Sequence, residues 1–162
     1  MPTSWRISSF NGVLLAAYFI PTWTIIAFNI MVSPIHSLFE RPSIAVGLFI
    51  TDHLHLAATG AVRAAWLLAL GRLVVVAFFA IFTVLAFSPH IRKLGGCDEA
   101  LSMALGIGCL ISFVSMLLAS LAGEGEALRL HASELLVMLG TVVVMALENP
   151  AATETAALPA SG

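Results

Sequence analysis

The chain has few charged residues, because Asp, Glu, Lys and Arg together make up only 10% of its 162 positions. A water-soluble domain carries about 25% charged residues. Hydrophobic residues, in contrast, account for 60% of the sequence. A chain with so few charged side chains cannot form a water-exposed surface. The excess apolar side chains therefore have to face an apolar solvent, and lipid is such a solvent. The sequence therefore predicts an integral membrane protein whose main partner is the lipid bilayer.

Basic residues and cysteine are also scarce. Seven Lys and Arg residues are outnumbered by nine Asp and Glu residues, which gives a formal net charge of -2. This balance provides no basic face for nucleic acid and no polybasic segment for anionic lipid. Cys97 and Cys109 form no C-x-x-C pair, so zinc-ribbon and thioredoxin functions have no support. We expect two unreactive thiols.

The sequence lacks the common motifs of enzymes and cofactor sites. It contains no G-x-S-x-G elbow, no phosphate-binding glycine loop and no H-E-x-x-H helix. Its long uncharged stretches hold no histidines that could ligate a haem within the bilayer. We therefore expect no bound cofactor or metal. A membrane-embedded enzyme that uses Asp52 with His53 or His55 stays open, without positive support.

What the sequence does contain is four long apolar stretches. A hydrocarbon core about 30 Å thick requires about 20 apolar residues in a helix. The four stretches are residues 10–32, 64–88, 100–123 and 130–147. The first is too long for the apolar part of a cleaved signal peptide, so we interpret it as a retained span. The prediction is an all-α, multi-pass protein of a cell or inner membrane, with a four-helix transmembrane bundle in residues 1–148 and a disordered tail, 149–162.

Residues 43–63 do not fit a simple span, because they contain Asp52, His53 and His55. An Asp at the centre of a transmembrane helix costs about 2.5–3.5 kcal/mol on insertion scales. In a helix, the polar residues of this segment share one stripe: Asp52, His55, Thr59 and Arg63. The segment is predicted to be an amphipathic helix lying in the membrane interface. The alternative is a re-entrant or spanning fifth helix with its polar stripe towards the bundle interior.

The third stretch carries a pattern of small residues. Gly108, Ser112, Ser115 and Ala119 are spaced four, three and four residues apart, which places them along one seam of a helix. Small residues let a neighbouring membrane helix approach closely. The pattern predicts a helix–helix interface, either inside the chain's own bundle or with another chain.

Ionisable residues within a membrane segment are functional candidates by default. Arg72 either extends its aliphatic stem to the headgroups or pairs in the bundle with Asp52 or Glu134. Glu134 follows His131 by one turn, at the mouth of the fourth stretch.

The histidines of the 43–63 segment have a more limited geometry. His53 and His55 point in nearly opposite directions on a helix, so they could not chelate one metal ion there. Asp52 and His55 are one turn apart and could share a proton or a ligand. The candidates for an ion or proton path are thus Asp52, His53, His55, Arg72 and Glu134.

Two functions follow as expectations. The first is a non-catalytic accessory or scaffold subunit that packs through its small-residue face against other membrane chains or against a second copy of itself. The second is a small transporter, or an ion or proton pathway, that uses Asp52, His55 and Arg72.

Overall fold

The fold, seen in a computed structural model, is described for residues 6–32, 58–88 and 97–148. The regular elements in these ranges are all helices, which we number in chain order. They are α1 (Ile7–Val32), α2 (Ala58–Phe87), α3 (Asp98–Ala122) and α4 (Gly125–Glu148). Each contains a stretch long and apolar enough to cross a membrane. The prediction of an all-helical protein with four candidate transmembrane helices is confirmed.

All four helices begin earlier than the apolar stretches indicate, two of them by five residues or more. Helix α4 begins at Gly125 rather than near residue 130, because its polar first turn is already helical. The acidic Glu126 in that turn suits the positive end of the helix dipole. Hydropathy detects the apolar part of a helix and misses a polar first turn.

Helix α2 begins at Ala58, so residues 58–63 are continuous with it. These residues are the last part of the predicted amphipathic segment 43–63, and a separate fifth helix is not among the helices of the described ranges. The rest of that segment lies outside the described residues, and so does the predicted tail, 149–162.

The helices run alternately up and down and pack unevenly. Helix α1 packs closely on α2, α2 on α3, and α3 on α4, whereas α1 and α4 make the fewest contacts of these neighbouring pairs. The bundle is thus tight around three sides and looser along the side between α1 and α4.

Aromatic rings fill the centre of the bundle. Phe19 stacks on Phe79 with 5.7 Å between ring centroids, and the rings of Phe19 and Trp23 form a T-shaped pair with centroids 5.0 Å apart. In the most apolar part of each helix, no more than 33% of the residues are buried inside the bundle. The outward residues are mostly large and apolar, which is the surface that lipid requires.

The connection between α3 and α4 depends on one glycine. Gly123 has a left-handed backbone with φ of 73°, a conformation that glycine adopts without a steric cost. The next amide, of Glu124, donates to the carbonyl of Ala119 at 3.0 Å. This arrangement ends α3 and lets α4 start two residues later in the opposite direction.

A polar clamp ties three helix ends together at the other end of the bundle. The carboxylate of Glu148 accepts the amides of Ile7, at 2.8 Å, and Ser8, and it also accepts the Ser8 hydroxyl. Arg6 contacts Asp98 at 2.8 Å, and its Nε lies 3.5 Å from Glu148. The last residue of α4 thereby caps the first turn of α1, whose amides have no partners within their own helix.

Cys97 and Cys109 are free thiols. Burial, together with the neighbouring carboxylate of Asp98, raises the pKa of the Cys97 thiol. Since the thiolate is the reactive form, Cys97 is poorly reactive at neutral pH.

Gly12 marks the closest packing in the core and generates a prediction. A Cβ at this position would lie 2.7 Å from the Phe82 ring and 2.9 Å from Leu101, and both side chains are fully buried. We expect Gly12→Leu to lower the free energy of unfolding by about 1–3 kcal/mol. Unfolding by SDS titration from mild detergent would measure it.

The matched control for this variant is Gly106→Leu. Gly106 is exposed, and an added Cβ there meets open space. Equal effects of the two substitutions would contradict the close packing at Gly12.

Candidate functional site

The interior of the bundle contains a group of polar side chains from all four helices. Trp23 comes from α1, Arg72 from α2, Ser112 from α3, and His131 and Glu134 from α4. All five are buried. We call this group the polar cluster.

The polar cluster lies deep in the membrane-spanning part of the fold. Trp23 precedes the end of α1 by nine residues, Ser112 precedes the end of α3 by ten, and Glu134 follows the start of α4 by nine. At 1.5 Å per residue, each lies about 13–15 Å inside the same end of the bundle. The cluster therefore lies well inside the bundle, away from the ends of the helices.

Glu134 is the hydrogen-bonding centre of the cluster. Its carboxylate accepts the indole N–H of Trp23 at 3.3 Å and faces the Ser112 hydroxyl at 3.5 Å. The Nδ1 of His131, one turn earlier on α4, lies 3.1 Å away. Three helices thus provide the polar contacts of one carboxylate that is only 6% exposed.

Arg72 is the cation of the cluster and is only 2% exposed. Its guanidinium carbon lies 5.9 Å from the centroid of the Trp23 ring, a cation–π distance. Its charge is opposite to that of Glu134 in the same cluster, so the two attract each other. Its Nε and Nη1 have no hydrogen-bond partner within the described structure. Arg72 is therefore a buried charge beside the Trp23 ring and in the same cluster as the Glu134 carboxylate. Two of its nitrogens are hydrogen-bond donors without a partner in the described structure.

A groove of about 690 Å³ runs along the looser side of the bundle, between α1 and α4. Its polar lining residues are Asn11, Tyr18, Ser133, Glu134 and Thr141. The remaining lining is mostly aliphatic and aromatic, as at Leu14, Phe19 and Val137. Since Glu134 belongs to both the groove and the polar cluster, it connects the groove to the bundle interior. The volume is within the range of small-molecule sites.

The structure places Arg72 and Glu134 in the same buried cluster and corrects one expectation. Arg72 is buried between the helices and does not extend away from the bundle. Glu134 lies nine residues after the start of α4 and four after the start of the predicted span 130–147, so its place at the mouth of that span stays a prediction. Asp52, His53 and His55 lie outside the described residues, so their part in an ion or proton path stays a prediction.

The small-residue seam faces the chain's own helices. Gly108, Ser112, Ser115 and Ala119 are all buried. A Cβ at Gly108 would lie 2.8 Å from the sulfur of Met138 on α4. The seam is thus occupied within the bundle, and a scaffold would have to dock through a different surface.

Trp23 is the member of the cluster that the sequence analysis missed. A tryptophan in a membrane protein usually lies at the interface, whereas Trp23 falls in the middle of the first span. That unusual position was the available signal. Within the described ranges, no group of three His, Cys, Asp or Glu side chains is placed to hold a metal ion.

Comparison with known proteins adds no further constraint on the site. No protein-family model, curated protein or solved structure matches the chain.

The electrostatic link between Arg72 and Glu134 can be measured with a double-mutant cycle. Removal of one partner leaves a buried charge uncompensated, so we expect Arg72→Met and Glu134→Gln each to cost about 3 kcal/mol of stability. The double variant should lose less stability than the sum of the losses in the two single variants, and the difference should be at least about 1 kcal/mol. SDS unfolding of the four proteins gives the coupling free energy.

Arg63→Met provides the control, because Arg63 is an exposed arginine on the same helix. It should change stability by no more than about 0.5 kcal/mol. Strictly additive effects of the Arg72 and Glu134 substitutions would show that the two charges are not coupled.

Proposed function

We propose that the chain is a small transporter, or an ion or proton pathway, of a cell or inner membrane. The observation that supports this most directly is the burial of Arg72, His131 and Glu134 together inside the bundle. Ionisable groups are costly within membrane segments, and those found there typically mark substrate paths or proton relays.

Glu134 and His131 are well placed to pass a proton. Both side chains can gain and lose one, and their nearest atoms are 3.1 Å apart. His131 lies one turn closer to the start of α4, so the pair leads from the centre of the bundle towards that end. Arg72 provides a fixed positive charge in the same cluster, which favours the ionised form of the Glu134 carboxylate.

Asp52 and His55 are proposed to continue the route. His55 precedes Ala58, the first residue of α2, by three positions in the sequence. The start of α2 is at the same end of the bundle as the start of α4, towards which His131 leads. The proposed order is therefore Asp52 and His55, then His131, then Glu134 beside Arg72.

The proposal is tested by flux measurements in proteoliposomes. Glu134→Gln removes the central carboxylate and is expected to reduce proton- or ion-coupled flux by at least tenfold. Asp52→Asn should reduce flux as well, because it removes the outer carboxylate. The measurement uses an internal pH dye, with ion gradients imposed one at a time.

Glu126→Gln is the matched control for the flux experiment. It removes an exposed carboxylate from the first turn of the same helix and should leave the flux unchanged. Full flux in Glu134→Gln would exclude the central carboxylate from the mechanism, and full flux in Asp52→Asn would exclude Asp52.

A second candidate function is a non-catalytic accessory subunit that packs against other membrane chains or a second copy. It is favoured by the large outward apolar surface, since at most 33% of the residues in each span's apolar part are buried inside the bundle. Such a subunit would dock through outward residues of the helices, because the small-residue seam is already covered.

Purification in mild detergent distinguishes the accessory subunit from an independent transporter. An accessory subunit should elute with a partner chain, or with a second copy, in a fixed ratio. A stable monomer that carries flux by itself would contradict this second function.

A further inference from the structure

We infer that the groove between α1 and α4 binds lipophilic cations, such as hydrophobic amines or phosphonium ions, that enter sideways from the bilayer. The inference rests on the proposed function, because it names the substrate class of the site that contains Glu134. Three features of the groove support it: its position, its charge and its lining residues.

The position of the groove suits a ligand dissolved in lipid. It lies where α1 and α4 are least closely packed. Two polar connections hold these helices together: Glu148 binds Ser8 at one end, and Trp23 binds Glu134 near the middle. The groove extends along the side between them. A bound molecule could therefore occupy it without separating the helices.

The charge of the groove selects a cation. Glu134 is the one charged residue among the described residues that line it. Arg72 does not line the groove, and its guanidinium lies against Trp23. Among the described residues that line the groove, a ligand thus meets one carboxylate and no cationic side chain. A carboxylate offers about four acceptor positions, and Glu134 uses three contacts, of which the one to Ser112 is long at 3.5 Å.

The lining of the groove suits a large apolar body attached to the charge. Tyr18 on α1 provides an exposed aromatic ring in the wall that Glu134 also lines, and a cation is attracted to the face of such a ring. Leu14, Val137 and the other aliphatic residues provide apolar contact. Hydrophobic walls with a single carboxylate match an ion that is both lipophilic and positively charged.

The experiment measures the binding of two probes of similar shape and opposite charge. Tetraphenylphosphonium and tetraphenylborate are titrated by equilibrium dialysis against the full chain in zwitterionic nanodiscs, with protein-free nanodiscs as the blank. We expect saturable binding of the phosphonium above the blank, and no such binding of the borate.

Two variants test the site itself. Glu134→Gln should weaken phosphonium binding at least tenfold. Gly140→Leu keeps the carboxylate and fills the groove, because Gly140 lines the groove and an added Cβ there meets open space; it should weaken binding to a similar degree. Their controls are Glu126→Gln and Gly106→Leu, which alter the same residue types outside the groove.

Each result has a distinct meaning. Phosphonium binding at the level of the blank, equal binding of the borate, or full binding in both Glu134→Gln and Gly140→Leu would overturn the inference. Flux that depends on Glu134 without phosphonium binding would overturn the inference and leave the proposed function in place. Phosphonium binding that Gly140→Leu removes, without any flux, would support the groove and contradict transport.

Discussion

The structure depends on the burial of one carboxylate in a membrane interior. Glu134 on α4 reaches Trp23 on α1 and Ser112 on α3, and it is attracted to Arg72 on α2. In hydrocarbon, an ionised group without such partners would be very costly. The polar cluster is therefore stable only when all four helices are assembled. The need of Glu134 for partners on the other helices favours this arrangement of the bundle, and the same contacts position the candidate site.

The uneven packing of the bundle gives this cluster access to the outside. On three sides, small residues and stacked rings bring the helices close together, as at Gly12 against Phe82 and Phe19 against Phe79. Between α1 and α4 the contacts are fewer, and the groove that remains there reaches Glu134. A polar cluster enclosed on all sides would serve only as structural support. Because this cluster meets a lateral groove, it can also interact with a ligand.

The small-residue seam of α3 changes how the two functions compare. A seam available to other chains would favour a scaffold, and this was the motive for that hypothesis. Its four residues are buried within the bundle instead, where they let α4 approach closely enough for Glu134 to face Ser112. The seam thus supports the site directly, and an accessory role would have to use the lipid-facing surface.

The amino-acid composition alone indicates a membrane protein with four candidate spans, because the cost of placing charge in hydrocarbon depends on composition. The sequence also identified Arg72 and Glu134 as residues that need partners. It did not show that α4 begins at Gly125, since hydropathy does not detect the polar first turn of α4, nor that Arg72 is buried between the helices. The contact between Trp23 and Glu134, which are 111 residues apart in the chain, is seen only in the folded bundle. Such a contact depends on which faces of the helices pack together. The spacing of side chains along one helix does not specify which other helix packs against it.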